Sequence, residues 1–175
     1  MLLTGYTLKE AIKMAGLELD AVRSGFDESL FVFAGDKKEN PVEVAKKIEE
    51  LEAKVANLQT AQAEYNLSVT VSVKGAGNEP SDMPLGAAIR LVGGMGRLAK
   101  MWRTAARGKT RDRWDRSRVE TRSKDVEVAE PTITKTEALD QAKNYEKLAS
   151  ALRSAIAVGN TTKLDIAWVG ENLLA

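Results

Sequence analysis

The sequence predicts a mainly α fold, an antiparallel bundle of long coiled-coil-like helices carrying a small β element. Three observations carry that expectation. Apolar residues recur at spacings of four and three along four separate segments, in strict alternation along three of them, as they do where one helix packs along another. Two of those segments open with a threonine followed three places later by glutamate, and a third opens with Asn-Pro. Both are helix-start signals. Only short stretches alternate with period two, so strands are a minor part. At 175 residues the chain is expected to form a single domain over 1–175.

The first helix is expected over 7–33. Thr7-Leu8-Lys9-Glu10 has the form of a capping box, and Leu8, Ile12, Ala15, Leu19, Val22 and Phe26 form the seam that follows. The pattern runs on loosely through Leu30 and Phe33 to the turn at Ala34-Gly35-Asp36. The second helix is expected over 41–66. Asn40 caps it, Pro41 suits the first helical position, and Glu43 faces the positive end of the helix dipole. Its seam is Val44, Ile48, Leu51, Val55, Leu58, Gln62 and Tyr65. Gln62 is the polar member. A polar seam residue fixes register or partner number at some cost in stability, or else sits where a bundle splays and meets water.

Leu67-Ser68-Val69-Thr70-Val71-Ser72-Val73 alternates strictly and is β-branched, which predicts a half-buried strand over 67–73. A loop rich in turn residues follows through Asp82. The third helix is expected over 84–106, with Leu85, Ile89, Val92, Met95, Ala99 and Trp102 on its seam. Gly93, Gly94 and Gly96 lie inside it and imply close backbone contact with a neighbour or a kink. A second strand is expected over 125–130. The fourth helix, over 135–158, opens at the capping box Thr134–Glu137 and carries Ala138, Ala142, Tyr145, Ala149, Leu152 and Ile156. Gly159-Asn160 stops it, and Leu164–Val169 reads as a short strand or a docked arm.

Composition excludes much chemistry. The chain has no cysteine and no histidine, which removes thiolate chemistry, Ser-His-Asp and Cys-His triads, Cys/His zinc sites and carboxylate bundles built on Glu-x-x-His pairs. The glycines near 93–96 lack the spacing and the Lys-Ser or Lys-Thr of a phosphate-binding loop. No catalytic, cofactor or metal residue is assigned, no cofactor is expected, and the chain is read as not an enzyme. No stretch is apolar enough to span a membrane, and the expected location is cytoplasmic.

Charge is segregated although the formal net charge is only +1. Residues 1–70 hold 8 basic and 12 acidic side chains, residues 71–124 hold 13 and 5, and residues 125–175 hold 5 and 8. The basic block is densest over 103–124, where Arg107, Arg111, Arg113, Arg116, Arg118 and Arg122 run with Trp102 and Trp114 interleaved. Arginine with tryptophan is suited to phosphates and stacked bases. The competing use is ion pairing with Asp112, Asp115, Glu120 and the acidic flanking regions. Contacts between copies are expected to involve Gln62, Met95, Trp102, Ile166 and Trp168.

Short motifs and the order of elements resemble the septicolysin-like small bacterial proteins, a family without an assigned function. The resemblance rests on Thr7-Leu8-Lys9-Glu10-Ala11, the strand Leu67–Val73, Pro84-Leu85-Gly86-Ala87-Ala88 and the Arg-rich stretch before Asp125–Val128. It continues in Ala151-Leu152-Arg153-Ser154-Ala155-Ile156 and the tail Asn160–Leu164. It implies a helical hairpin core with β additions and self-association, and it carries over no catalytic residue. The family label suggests a thiol-sensitive cytolysin, whereas this chain has no cysteine. The resulting expectation is a non-enzymatic, self-assembling helical protein, a structural scaffold or shell component that forms a homo-oligomer. The alternatives are a nucleic-acid-binding accessory protein acting through the Arg-rich segment 103–124, and a toxin-like or membrane-active protein.

Overall fold

The computed structural model describes residues 2–31, 40–74, 79–107 and 132–174. Among the described residues the chain is mainly helical with two small two-stranded sheets. In order it runs β1 (Leu2–Leu3), α1 (Gly5–Ser29), α2 (Pro41–Ser68), β2 (Thr70–Val73), β3 (Ser81–Pro84), α3 (Leu85–Ala106), α4 (Lys135–Gly159), β4 (Leu164–Asp165) and α5 (Glu171–Leu174). β1 pairs antiparallel with β4, Leu2 opposite Asp165 and Leu3 opposite Leu164, and β2 pairs with β3. The strand expected over 125–130 lies outside the described residues. Two compact units result. The first takes Met1–Val71, Asp82–Ala87 and Ala155–Ala175, and the second takes Ser72–Ser81 and Ala88–Ser154.

The first unit is built on α1 and α2. Gly5 at the start of α1 lies against Tyr65 near the end of α2, so the two helices are antiparallel. The expected seams are the ones that turn inward. Leu8, Ala15 and Leu19 of α1 and Leu51, Leu58 and Tyr65 of α2 are buried. Arg23 pairs with Glu52, and Lys47 Nζ lies 3.4 Å from Glu18 Oε1. These exposed pairs are worth at most about 1 kcal/mol each, so the apolar seam holds the hairpin.

The α1 start differs from the sequence expectation. The cap is Thr4, not Thr7. Thr7 N–H donates to Thr4 Oγ1 at 3.1 Å, and Thr4 N–H donates to Thr7 Oγ1 at 2.8 Å, which makes a reciprocal box one turn earlier. The cause is β1, whose pairing with β4 delivers Thr4 in the extended conformation a cap requires. The far end also differs, because α1 stops at Ser29 and does not reach 33. After Phe26 the next inward position is Ser29, whose hydroxyl donates back to the Phe26 carbonyl at 2.6 Å. With no apolar residue there to bury, the seam ends, and Leu30 and Phe31 are left exposed.

Asn40 and Pro41 start α2 as expected, with Val42 N–H donating to Asn40 Oδ1 at 3.1 Å. The helix persists to Ser68, and the strand begins at Thr70, three residues later than the alternation suggested. Val69, Val71 and Val73 are buried on one face as period two requires, but Leu67 still belongs to the helix and is exposed. β3 takes Ser81–Pro84 from what the sequence presents as loop, and Pro84 closes it before α3.

One buried node ties these elements together. The Tyr65 ring is fully buried, and its hydroxyl lies 2.8 Å from the Gly159 carbonyl and 2.6 Å from that of Thr162. A Cβ on Gly5 would lie 2.9 Å from Tyr65 Cε1 and would also strike the Asn160 side chain. A Cβ on Gly159 would lie 2.6 Å from Val71 Cγ1 and 3.0 Å from Leu85 Cδ1. Both glycines are therefore required by close packing. Leu85 N–H donates to the Val69 carbonyl at 2.7 Å, which fixes the entry into α3.

The second unit holds most of α3 and α4. Arg103 with Glu146, and Gly96 with Arg153, mark these two helices as antiparallel here. Their buried faces are alanine: Ala88, Ala99 and Ala106 on α3, and Ala138, Ala142 and Ala149 with Leu152 on α4. The α4 capping box forms as expected, with Glu137 N–H donating to Thr134 Oγ1 at 3.2 Å. The Thr134 hydroxyl, and then its backbone N–H, hold the Glu137 carboxyl below the usual carboxylate range.

Candidate interaction surface

The residues expected at contacts between copies are distributed over both units. In the first unit, Gln62 is half-buried on the seam and its Nε2 donates to Asn66 Oδ1 at 3.1 Å. Its Oε1 is shielded from solvent and meets no donor among the described residues. Trp168 is 47% exposed, and its indole N–H donates to Glu64 Oε2 at 2.8 Å, which pins the ring edge to α2. Ile166 is corrected by the structure. At 1% exposure it packs inside the first unit beside the β1–β4 pairing and offers no surface to a second copy. In the second unit, Met95 and Trp102 are half-buried on α3.

Of the arginine cluster, Arg107 is exposed just beyond α3, and Arg111, Arg113, Arg116, Arg118 and Arg122 lie outside the described residues. At the described edge of the basic block, Arg103 Nε lies 2.6 Å from Glu146 Oε1. Beside that pair is an open groove of about 250 Å³ with Gly96, Ala99 and Ala149 on its walls and Lys100 and Arg153 at its margins. The three α3 glycines make no close contact that requires glycine. A Cβ on Gly94 or Gly96 would meet nothing within 4 Å, and one on Gly93 would meet only Arg97 Nη1 at 3.6 Å. The alanine face makes the helix contact instead.

The surface that sequence reasoning missed is the outer face of α1. Glu10, Met14, Leu17 and Ala21 step by four, three and four, a second seam on the side opposite Leu8, Ala15 and Leu19. Met14 is 57% exposed, Leu17 is 56% exposed, and Tyr6 extends the stripe at 50%. Next to it, Ala11, Met14, Ala15, Leu17 and Glu18 line a groove of about 340 Å³ with Lys54 of α2 and Leu174 of α5. The signal was present as a second set of helically spaced apolar residues. It was overshadowed because the Leu8–Phe26 seam is longer and richer in large side chains.

No family model matches this chain, and no curated protein matches it. It is similar in structure to a functionally unknown conserved protein from Corynebacterium diphtheriae, with a TM-score of 0.59 at 20% identity. The likeness covers 94% of this chain and 100% of that one, and it concerns the fold alone. Among the described residues no helix is long and apolar enough to cross a membrane.

Proposed function

We propose that the chain is a non-enzymatic, self-assembling helical protein that serves as a scaffold or shell component of a homo-oligomer. One observation carries this reading. The inner seam of α1 is already satisfied by α2, yet α1 keeps Met14 and Leu17 more than half exposed on its other side. A helix with apolar residues on two opposite faces suits a chain that has two neighbours, one of its own and one from outside. Burying such side chains fully is worth about 1.5–3 kcal/mol each, enough for a handful of them to drive association. The test is the mass of the purified protein by light scattering, with absorbance at 260 and 280 nm. The expected result is a discrete multiple of 19.0 kDa free of nucleic acid. A 19.0 kDa monomer at tens of micromolar would refute the proposal.

A further inference from the structure

Resting on that reading, we infer that the outer face of α1 is a two-fold interface on which the α1 helix of a second copy lies antiparallel. Charge complementarity selects this occupant. The first half of α1, up to Gly16, carries Lys9, Glu10 and Lys13, a net balance of +1. The second half carries Glu18, Asp20, Arg23, Asp27 and Glu28, a balance of −3. A parallel copy would set the acidic halves side by side. An antiparallel copy sets the basic half of each helix on the acidic half of the other and opposes the helix dipoles.

The register follows from the stripe itself. Placing Met14 of one copy over Leu17 of the other puts Leu17 over Met14 at the symmetric position, the self-complementary arrangement a two-fold axis demands. Glu10 then lies level with Ala21 of the second copy and one residue from its Asp20, so Lys13, which contacts Glu10, serves both carboxylates. Lys13 and Asp20 occupy the same flank of the stripe, seven residues or two turns apart. A two-fold axis perpendicular to the helices keeps that flank on one side, so Lys13 of each copy comes alongside Asp20 of the other. Within its own chain Lys13 makes an exposed contact with Glu10 at 3.4 Å, which leaves it able to turn toward a second carboxylate.

The test uses the full-length protein. Met14→Glu with Leu17→Glu places charge on an exposed face, so the fold survives, and circular dichroism confirms it. The expected result is loss of this interface, read as a drop in mass by light scattering with helicity unchanged. A charge reversal covers the case in which that variant misfolds. Lys13→Glu should weaken self-association roughly threefold to thirtyfold, and adding Asp20→Lys should restore it, because the pair is re-formed with its signs exchanged. Two positions seven residues apart on one helix do not touch, so rescue within a single chain is not available. The chain has no cysteine, so a Met14→Cys, Leu17→Cys variant should form a disulfide-linked dimer on mild oxidation. If wild type is oligomeric but its mass and affinity do not respond to either set of changes, the α1 interface is overturned and self-assembly through another surface stands. A monomeric wild type overturns both.

Discussion

Replacing Tyr65 by phenylalanine removes one oxygen from the node where α1, α2 and the end of α4 meet. The ring stays, so no cavity opens, and the cost isolates the hydroxyl. That hydroxyl shares its one proton between two carbonyls, at 2.8 Å on Gly159 and 2.6 Å on Thr162. The Gly159 carbonyl keeps a second donor, the Thr162 N–H at 3.1 Å. The Thr162 carbonyl loses its partner, but its residue is exposed and water can take part of the load. A buried acceptor left wholly unpaired costs about 1–3 kcal/mol, so a partly hydrated one places Tyr65→Phe near 1–2 kcal/mol. For a chain of 175 residues this is a fall in Tm of about 2–8 °C. Tyr65→Ala, which also empties the ring site, should cost about 3–5 kcal/mol. Both are read by thermal and urea unfolding followed at 222 nm at one fixed protein concentration, because an oligomer's Tm depends on concentration. A Tyr65→Phe protein that melts with wild type would refute the claim that the hydroxyl, rather than the ring alone, joins these elements.

Four further outcomes are expected. Gly5→Ala should destabilise by about 1–3 kcal/mol, since its Cβ meets a Tyr65 ring and an Asn160 side chain that are both held in place. Gly94→Ala should stabilise by about 1 kcal/mol, since open space surrounds that Cβ and alanine is the better helix former; equal signs at the two sites would contradict the packing described here. Gln62→Leu should raise stability by about 1 kcal/mol by removing the unpartnered Oε1 from the seam, and a melt below wild type would show that the amide has a partner. If Gln62 also sets register, the same variant should broaden the mass distribution. Replacing Arg111, Arg113, Arg116 and Arg118 together with glutamine should weaken assembly or stability. Wild type should show no binding to single-stranded nucleic acid at ~0.15 M salt, where exposed charges beyond about 8 Å are screened. Tight wild-type binding, with a log–log salt slope that falls by about 0.7 per contact removed, would favour the nucleic-acid alternative instead.

How much was legible in the sequence depended on which force set each feature. Inward faces were legible because burial imposes a period: Leu8, Ala15 and Leu19 on α1 and Leu51, Leu58 and Tyr65 on α2 are the buried residues that the four-three spacing selects. The starts of α2 and α4 were legible because their caps are local, Asn40 to Val42 and Thr134 to Glu137. The start of α1 was not. Thr4 and Thr7 are equally good caps by type, and the choice is made by β1, whose partner β4 lies more than 150 residues away in the chain. Ile166 misled for the same reason, since an apolar residue near a terminus is spare by pattern but buried by that strand pairing. The β3 strand over Ser81–Pro84 has no alternation to reveal it and exists because β2 lies beside it.

The two helix pairs use different means to stay together, and the difference bears on where association belongs. The α1–α2 pair buries leucines and a tyrosine, each worth about 1.5–3 kcal/mol when removed from water. The α3–α4 pair buries mostly alanine, which brings backbones close but removes less apolar area per residue. A pair sealed by large side chains gains little from adding more on the same face, so further apolar residues on α1 are left largely uncovered. Met14 and Leu17 are such residues: they border a groove with Lys54 of α2 and Leu174 of α5, yet both stay more than half exposed. Solvent exposure costs them side-chain freedom nothing, but it leaves apolar area in water that a second surface would cover. The segregation of charge along the same helix is what the proposed two-fold pairing uses. Its basic first half and acidic second half make α1 complementary to its own reverse.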